Sequence, residues 1–166
     1  MVGIVQTVNN MNFKKISHYI IVIIFILIIS FLLINKNNNS VNNFDIKNTK
    51  YVKIGGEIIK VDLALTSTDQ ENGLSFRENL KNDEGMLFIF DNVGTYPFWM
   101  KDMSFPIDII WIGEDFRVIF IKENATPESF PEIFSPNKNS KYVLEVNALF
   151  SQKKNLKEGD KVEFLP

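Results

Sequence analysis

The stretch IDIIWIGEDFRVIFI, residues 107–121, determines the fold class of this chain. It contains two apolar, β-favouring runs, residues 107–112 and 117–121. The four residues between them, Gly113-Glu114-Asp115-Phe116, are typical of a tight turn. The pattern predicts two consecutive strands joined by that turn.

Similar runs lie on both sides. YVKIGGEIIKVDLAL, from residue 51, carries a hairpin signal at Gly55-Gly56. The remaining predicted strands are MLFIF (86–90), the alternating FWMKDM (98–103), YVLEV (142–146) and KVEFL (161–165). Thr68 and Glu71 match a capping box, which predicts a helix of about ten residues, and a second short helix is expected near 148–154. Residues 51–166 are thus predicted to form one mainly-β domain, a β-sandwich or a barrel, with one or two short helices.

Residues 16–34, ISHYIIVIIFILIISFLLI, carry no acidic or basic residue other than His18. As a helix this run would be roughly 28 Å long, about the thickness of the hydrocarbon core of a bilayer, so it predicts one transmembrane helix. A cleaved secretory signal is the alternative, but NKNNNSVNNF offers no A-x-A-like cleavage site.

Lys14 and Lys15 precede the apolar run, and only Lys36 follows it closely. The positive-inside rule therefore predicts a single-pass protein of the cell (inner) membrane, with residues 1–15 in the cytoplasm and the C-terminal domain outside. Residues 35–50 are rich in asparagine and are expected to be a disordered linker.

Composition excludes several kinds of chemistry. The chain has no cysteine, and its one histidine lies in the apolar run. The domain therefore has neither a Ser-His-Asp triad nor a thiolate or imidazole metal site. Of 18 basic residues two precede the run, which leaves 16 basic against 20 acidic residues after it. That balance argues against nucleic acid as a partner. No motif implies a cofactor.

The block GLSFRENLKNDEGMLFIFDNVGTYPFWMKDMSFPIDIIWI, residues 73–112, resembles the family called domain of unknown function 192. The resemblance extends over roughly residues 51–166. Its matching positions are Gly73, Leu74, Arg77, Gly85 to Phe88, Phe90, Phe98 to Lys101, Pro106, Asp108, Pro127, Val143 to Glu145 and Gly159-Asp160. The chain departs from the family pattern at Ser75, at Asp102-Met103 and at Asn147 to Leu149. The resemblance implies a mainly-β, jelly-roll-like domain, commonly secreted or membrane-anchored, and implies no established activity.

Four charged residues lie in apolar surroundings. They are Arg77, Lys101, Asp108 and Glu145. They either pair with one another inside the fold, because a buried charge needs a partner, or form a cleft that binds a polar or anionic ligand. Trp99 joins them as a candidate ligand-binding residue, since it and Trp111 could stack on a sugar, although burial in the core is the commoner role.

Weaker patterns have simpler explanations. Asp102 and Asp108 could serve a glycosidase, but paired aspartates are common. No calcium-binding loop is present. Met86, Met100 and Met103 could bind copper(I), although methionine usually fills gaps in cores.

The sequence leaves two main functional hypotheses. The first is a membrane-tethered, non-catalytic module that binds a small polar or anionic ligand, or an envelope protein. The second is an envelope-acting hydrolase that uses Arg77, Lys101, Asp108 and Glu145. A scaffold for an envelope complex is a third possibility and would need an exposed apolar patch.

Overall fold

The structure is a computed structural model that describes residues 18–30 and 45–166. The chain divides into two compact units between Phe44 and Asp45. Residues 18–30 are helical throughout, and no helix among the described residues is both long and apolar enough to cross a membrane. Residues 16, 17 and 31–34 of the predicted span lie outside the described residues, as do the predicted cytoplasmic segment 1–15 and residues 35–44 of the linker.

The second unit is built on one sheet of seven strands. The strands are β1 (Tyr51–Ile54), β2 (Glu57–Ala64), β3 (Glu84–Gly94), β4 (Ile107–Ile112), β5 (Val118–Ala125), β6 (Ser140–Asn147) and β7 (Glu163–Leu165), in the spatial order β5-β4-β6-β3-β2-β1-β7. Only β2 and β3 pair in parallel, and α1 (Ser67–Asn72) lies in the connection between them. A second helix, α2 (Phe150–Lys153), follows β6.

The sheet curls until its two ends meet. Backbone hydrogen bonds join Val118 to Gly159 and Asp160 at 2.8 and 2.9 Å, and Phe116 to Val162 at 2.9 Å. These contacts connect the start of β5 to the segment before β7, which stand at opposite ends of the strand order. The mainly-β prediction is confirmed, but one curled, partly closed sheet replaces the two stacked sheets of a sandwich.

The sheet divides the core into two clusters, one on each face, because successive side chains of a strand point to opposite faces. An inner cluster includes Leu87 and Ile89 of β3 together with Val118 and Val162 from the two ends of the sheet. An outer cluster includes Met86 and Phe88 of β3 and is covered by residues of the long connections. Those covering residues are Leu74, Leu80, Met100 and Phe134.

The helix after β2 and the segment 98–103 differ from the prediction. The capping box lies two residues earlier, on Thr66 and Asp69, and Gly73 ends a helix of six residues. FWMKDM is not a strand: only Phe98 forms a bridge, and a turn follows in which Asp102 has φ +56°. Pro97 and Pro106 bound this segment, and proline cannot donate to a β-ladder.

The domain also begins earlier than the composition indicated. Residues 46–48 form a 3-10 turn that Asp45 caps at its N-terminus. Ile46 packs against the inner cluster, and Thr49 is buried. Residues 45–50, predicted to be linker, therefore belong to the folded unit.

Candidate functional site

A cavity of about 110 Å³ opens on the outer face of the sheet. Its walls come from α1 and the residues after it, from β3 and from the segment 96–103, and Glu145 of β6 also lines it. Five of its lining residues are aromatic: Phe88, Phe90, Tyr96, Phe98 and Trp99.

Gly73 brings the chain close to Glu145. It has φ +51° and ψ −130°, a conformation that L side chains rarely adopt. A Cβ atom at this position would lie 3.3 Å from the Phe88 ring and 3.6 Å from Glu145 Oε2. Glycine therefore allows the end of α1 to form one wall of the cavity directly above the carboxyl group.

The aromatic wall is held by contacts between its own rings. Phe90 stacks on Tyr96 with 3.5 Å between centroids, and Phe88 meets Phe98 edge-on at 4.8 Å. Behind them, the fully buried Trp111 packs edge-on against Phe98 and donates its indole N–H to the Tyr96 carbonyl at 2.8 Å. Trp111 is a core residue, as expected, and its contacts hold Phe98 and Tyr96 in place in the pocket wall.

Glu145 is the polar group at the base of this pocket. It lies in β6 between Met86 and Ile109 of the neighbouring strands. The residue is only 4% exposed, and its Oε2 atom has no hydrogen-bond partner in the described part of the chain. Burial raises the pKa of Glu145 to about 8, against the opposing effect of the positive charge on Arg77. The carboxyl group therefore carries its proton at neutral pH and can donate a hydrogen bond.

Asp108 lies on the other face of the sheet and is fully buried. It pairs with Val146, whereas its neighbour Ile109 pairs with Glu145, so the two acidic side chains point in opposite directions. Its carboxylate accepts backbone N–H groups from Asn124 at 2.8 Å, Leu149 at 3.1 Å and Ser151 at 2.7 Å. Asp108 joins β4 to β5 and to the start of α2, and it does not belong to the pocket.

The other three candidates are at least partly exposed. Arg77 forms a salt bridge with Asp62 at 2.9 Å, in which both side chains are partly exposed. Lys101 is exposed and lines a neighbouring depression of about 80 Å³. Trp99 is 43% exposed and lines both cavities. Of the five candidates, only Trp99 and Glu145 line the aromatic pocket, and the four charged residues do not pair with one another.

The residues of the weaker patterns have ordinary structural surroundings. Met86 and Met100 are buried in the outer cluster and Met103 packs against it, as methionines that fill gaps in a core do. Asp102 lies in an exposed turn, on a different part of the molecule from the buried Asp108. In residues 18–30 and 45–166 no three His, Asp or Glu side chains are grouped to hold a metal ion.

Four of the five aromatic pocket residues were not predicted to bind a ligand: Phe88, Phe90, Tyr96 and Phe98. Met86, Phe88 and Phe90 alternate along β3 and so share one face. That alternation was hidden because the whole run MLFIF is apolar. Only the pairing of β3 with β6 shows that Glu145 stands beside those rings.

Several solved structures resemble this chain, among them the following two. A protein of unknown function from Novosphingobium aromaticivorans DSM 12444 shares 35% identity, with a TM-score of 0.65 over 68% of this chain and 83% of its own. A Sinorhizobium meliloti 1021 protein described as "a putative transcription regulator" shares 32% identity, with a TM-score of 0.64 over 69% of this chain and 92% of its own. No curated protein matches.

The family comparison agrees with the motifs in the central block. The model of DUF192, described as an uncharacterized ACR, matches residues 50–164, which include all seven strands except the last residue of β7. The chain therefore belongs to the DUF192 family.

Proposed function

We propose that the domain is a binding module for a small ligand with a polar head, and that Glu145 is the group that recognises that head. The observation that carries this proposal is the unpartnered Oε2 atom of a buried carboxyl group lining an aromatic cavity. A buried polar atom without a partner costs about 1–3 kcal/mol. A ligand that hydrogen-bonds to Glu145 would recover that free energy, and its apolar part would pack on the rings.

The residues that line the pocket restrict the class of ligand that it can bind. Glu71 and Glu145 are the acidic residues that line it, and within residues 45–166 neither lysine nor arginine lines it. An anionic head is therefore disfavoured at Glu145, in contrast to the anionic ligand that the sequence left open. Lys101 could contact only a part of the ligand that extends past Trp99 into the neighbouring depression.

Binding should depend on the polar atom and not on the volume of the side chain. Glu145→Leu is expected to abolish stabilisation by ligands while leaving the domain at least as stable, because an apolar group replaces an unpaired polar one. The measurement is a thermal-shift screen of the full chain in lipid nanodiscs against small polar fragments, with hits measured on both proteins.

The matched control is Glu123→Gln, which changes an exposed acidic residue of β5. Every fragment that stabilises the wild-type protein should also stabilise this variant. The proposal fails if no fragment stabilises the wild-type protein, or if Glu145→Leu binds the hits as well as wild type does.

The proposal includes a membrane tether. Residues 16–34 would span the bilayer once and place the domain outside the cytoplasm. The apolar composition of the run supports this, as do the side chains of Tyr19 to Ile29, which are 41–70% exposed in the described helix. Apolar side chains exposed along a whole helix need a non-aqueous environment.

Charges in the middle of the helix should abolish anchoring. Each lysine at the bilayer centre costs roughly 3 kcal/mol, so Ile23→Lys with Ile26→Lys is expected to release the chain from the membrane fraction. Carbonate extraction of bacterial membranes measures this release, and protease added to spheroplasts tests whether the domain is outside. Substitution of both residues by valine is the control. Extraction of the wild-type chain by carbonate would contradict the tether.

A hydrolase remains a second candidate on one observation. A protonated glutamic acid in an apolar pocket is the usual form of a general acid, and Glu145 has that form. Asp108 cannot be its partner because it lies on the other face of the sheet. Turnover of envelope polysaccharide or peptide that disappears in Glu145→Gln would favour the enzyme over the binding module.

A further inference from the structure

We infer that the pocket binds a small organic ammonium, a primary or secondary amine with an apolar body, and that aromatic rings and the Glu145 carboxylate hold its charge together. This inference rests on the proposed binding function and specifies its ligand class. It is carried by the arrangement of five aromatic residues and one buried, unpartnered carboxyl group around one cavity.

The rings favour a cation over a neutral head. The face of an aromatic ring carries partial negative charge and attracts an ammonium group, by roughly 2 kcal/mol where water is excluded. Phe88 and Phe98 meet edge-on, and Phe90 and Tyr96 are stacked, so the wall presents rings in several orientations. Glu71, at the end of α1, adds a second negative charge to the lining.

The charges already present do not neutralise Glu145. Arg77 is the cation that acts on it, and the guanidinium of Arg77 already pairs with Asp62 of β2. The other ionisable groups that line the pocket are Glu71 and Tyr96. From β3 and β4 the side chains beside Glu145 are the apolar Met86 and Ile109. A positive charge that would fully compensate an ionised Glu145 therefore has to arrive with a ligand.

Binding would displace a proton. Before a ligand binds, the carboxyl group is protonated at neutral pH, because burial raises its pKa to about 8. When the ammonium enters, the carboxyl proton leaves to solvent, the ligand keeps its own protons, and a carboxylate–ammonium pair forms with no covalent change. Affinity is then expected to rise about tenfold per pH unit between pH 6 and pH 8 and to level off above.

The size of the cavity limits the ligand. About 110 Å³ accommodates an ammonium head and a short apolar segment. A longer ligand would leave past Trp99, which is half-exposed and also lines the neighbouring depression with Lys101 and Asp102. The body of a longer ligand would therefore stack on Trp99.

A matched series of small probes tests the inference. Butylammonium, butyramide and butyrate are titrated into the full chain in nanodiscs by isothermal titration calorimetry, at pH 6, 7 and 8. Two amine-free buffers of different ionisation enthalpy report the protons released. We expect butylammonium to bind most tightly, with nearly one proton released per ligand at pH 6. Empty nanodiscs provide the baseline for partition into lipid.

Variants make the result specific to the pocket. Glu145→Gln keeps the shape of the side chain and should lose at least tenfold in butylammonium affinity, together with proton release and pH dependence. Glu123→Gln should behave as wild type, and circular dichroism verifies that both variants are folded.

The outcomes separate the inference from the proposed function. Binding of butyramide in preference to butylammonium overturns the ammonium inference and leaves the binding module standing. Equal butylammonium affinity in wild type and Glu145→Gln also overturns the inference. If neither these probes nor any polar fragment binds, both the inference and the proposed function fail.

Discussion

Replacement of Asp108 by asparagine is expected to lower the free energy of unfolding by about 1–3 kcal/mol for each buried backbone donor that it leaves without a partner. The carboxylate accepts three backbone N–H groups, with Oδ1 bound to Asn124 and Leu149 and Oδ2 to Ser151. An amide has one oxygen, so its NH₂ group would face at least one N–H donor and leave that donor buried without a partner. Urea denaturation at pH 7, followed by circular dichroism, measures the loss.

Asp91→Asn is the matched control, because the Asp91 side chain is 87% exposed. Surface substitutions of this kind usually change stability by less than about 0.5 kcal/mol. If Asp108→Asn were as stable as the control variant, the amide contacts would not explain the buried carboxylate, and Asp108 would return as a candidate for a functional role.

Glu145→Gln is expected to change how stability depends on pH. The folded protein keeps the Glu145 proton up to a pKa of about 8, whereas the unfolded chain releases it near the ordinary value of 4.5. Between those values the folded state binds more protons, so its stability falls as pH rises, by about 1.4 kcal/mol per pH unit. The stabilisation is complete below pH 4.5 and is lost as pH rises through 8.

The variant lacks this ionisation. It should match wild type near pH 5 and exceed it by about 3–5 kcal/mol at pH 9. Urea denaturation of both proteins at pH 5, 7 and 9 gives the difference between their free energies of unfolding. The titration of other groups is common to both proteins and cancels in this difference. Glu123→Gln, on the exposed part of β5, should follow the wild-type profile. Parallel profiles for wild type and Glu145→Gln would show that the carboxyl group is not held protonated.

Asp108 and Glu145 show how much of the candidate site the sequence could predict. Each is a single acidic residue in an apolar strand, and sequence alone placed them in one cluster. The antiparallel register of β4 and β6 puts Ile109 opposite Glu145 and so turns Asp108 to the other face. Because side chains alternate with a period of two, the register decides the face of every residue, and register is a property of the paired strands.

The segment FWMKDM, residues 98–103, shows a limit of predicting strands from alternating side chains. Its alternation predicted a strand, yet the segment covers the outer cluster and forms a turn at Lys101-Asp102. Hydrogen bonds from the residues after α1 hold it there: the Phe76 N–H donates to the Asp102 carbonyl, and the Ser75 hydroxyl donates to the Lys101 carbonyl at 2.8 Å. Alternation alone cannot distinguish a strand from an extended covering segment, because both bury every second side chain.

The sequence by itself determined the mainly-β class, most of the strands and the family to which the chain belongs. Those properties follow from residue preferences and patterns that act over a few neighbouring positions. Only the tertiary structure decided that the strands form a single curled sheet, that Asp108 is a structural residue, and that Glu145 lies among aromatic rings. Each of these depends on contacts between segments far apart in the chain, such as Gly73, Phe88 and Glu145 around one cavity, and local patterns carry no information about which distant segments meet.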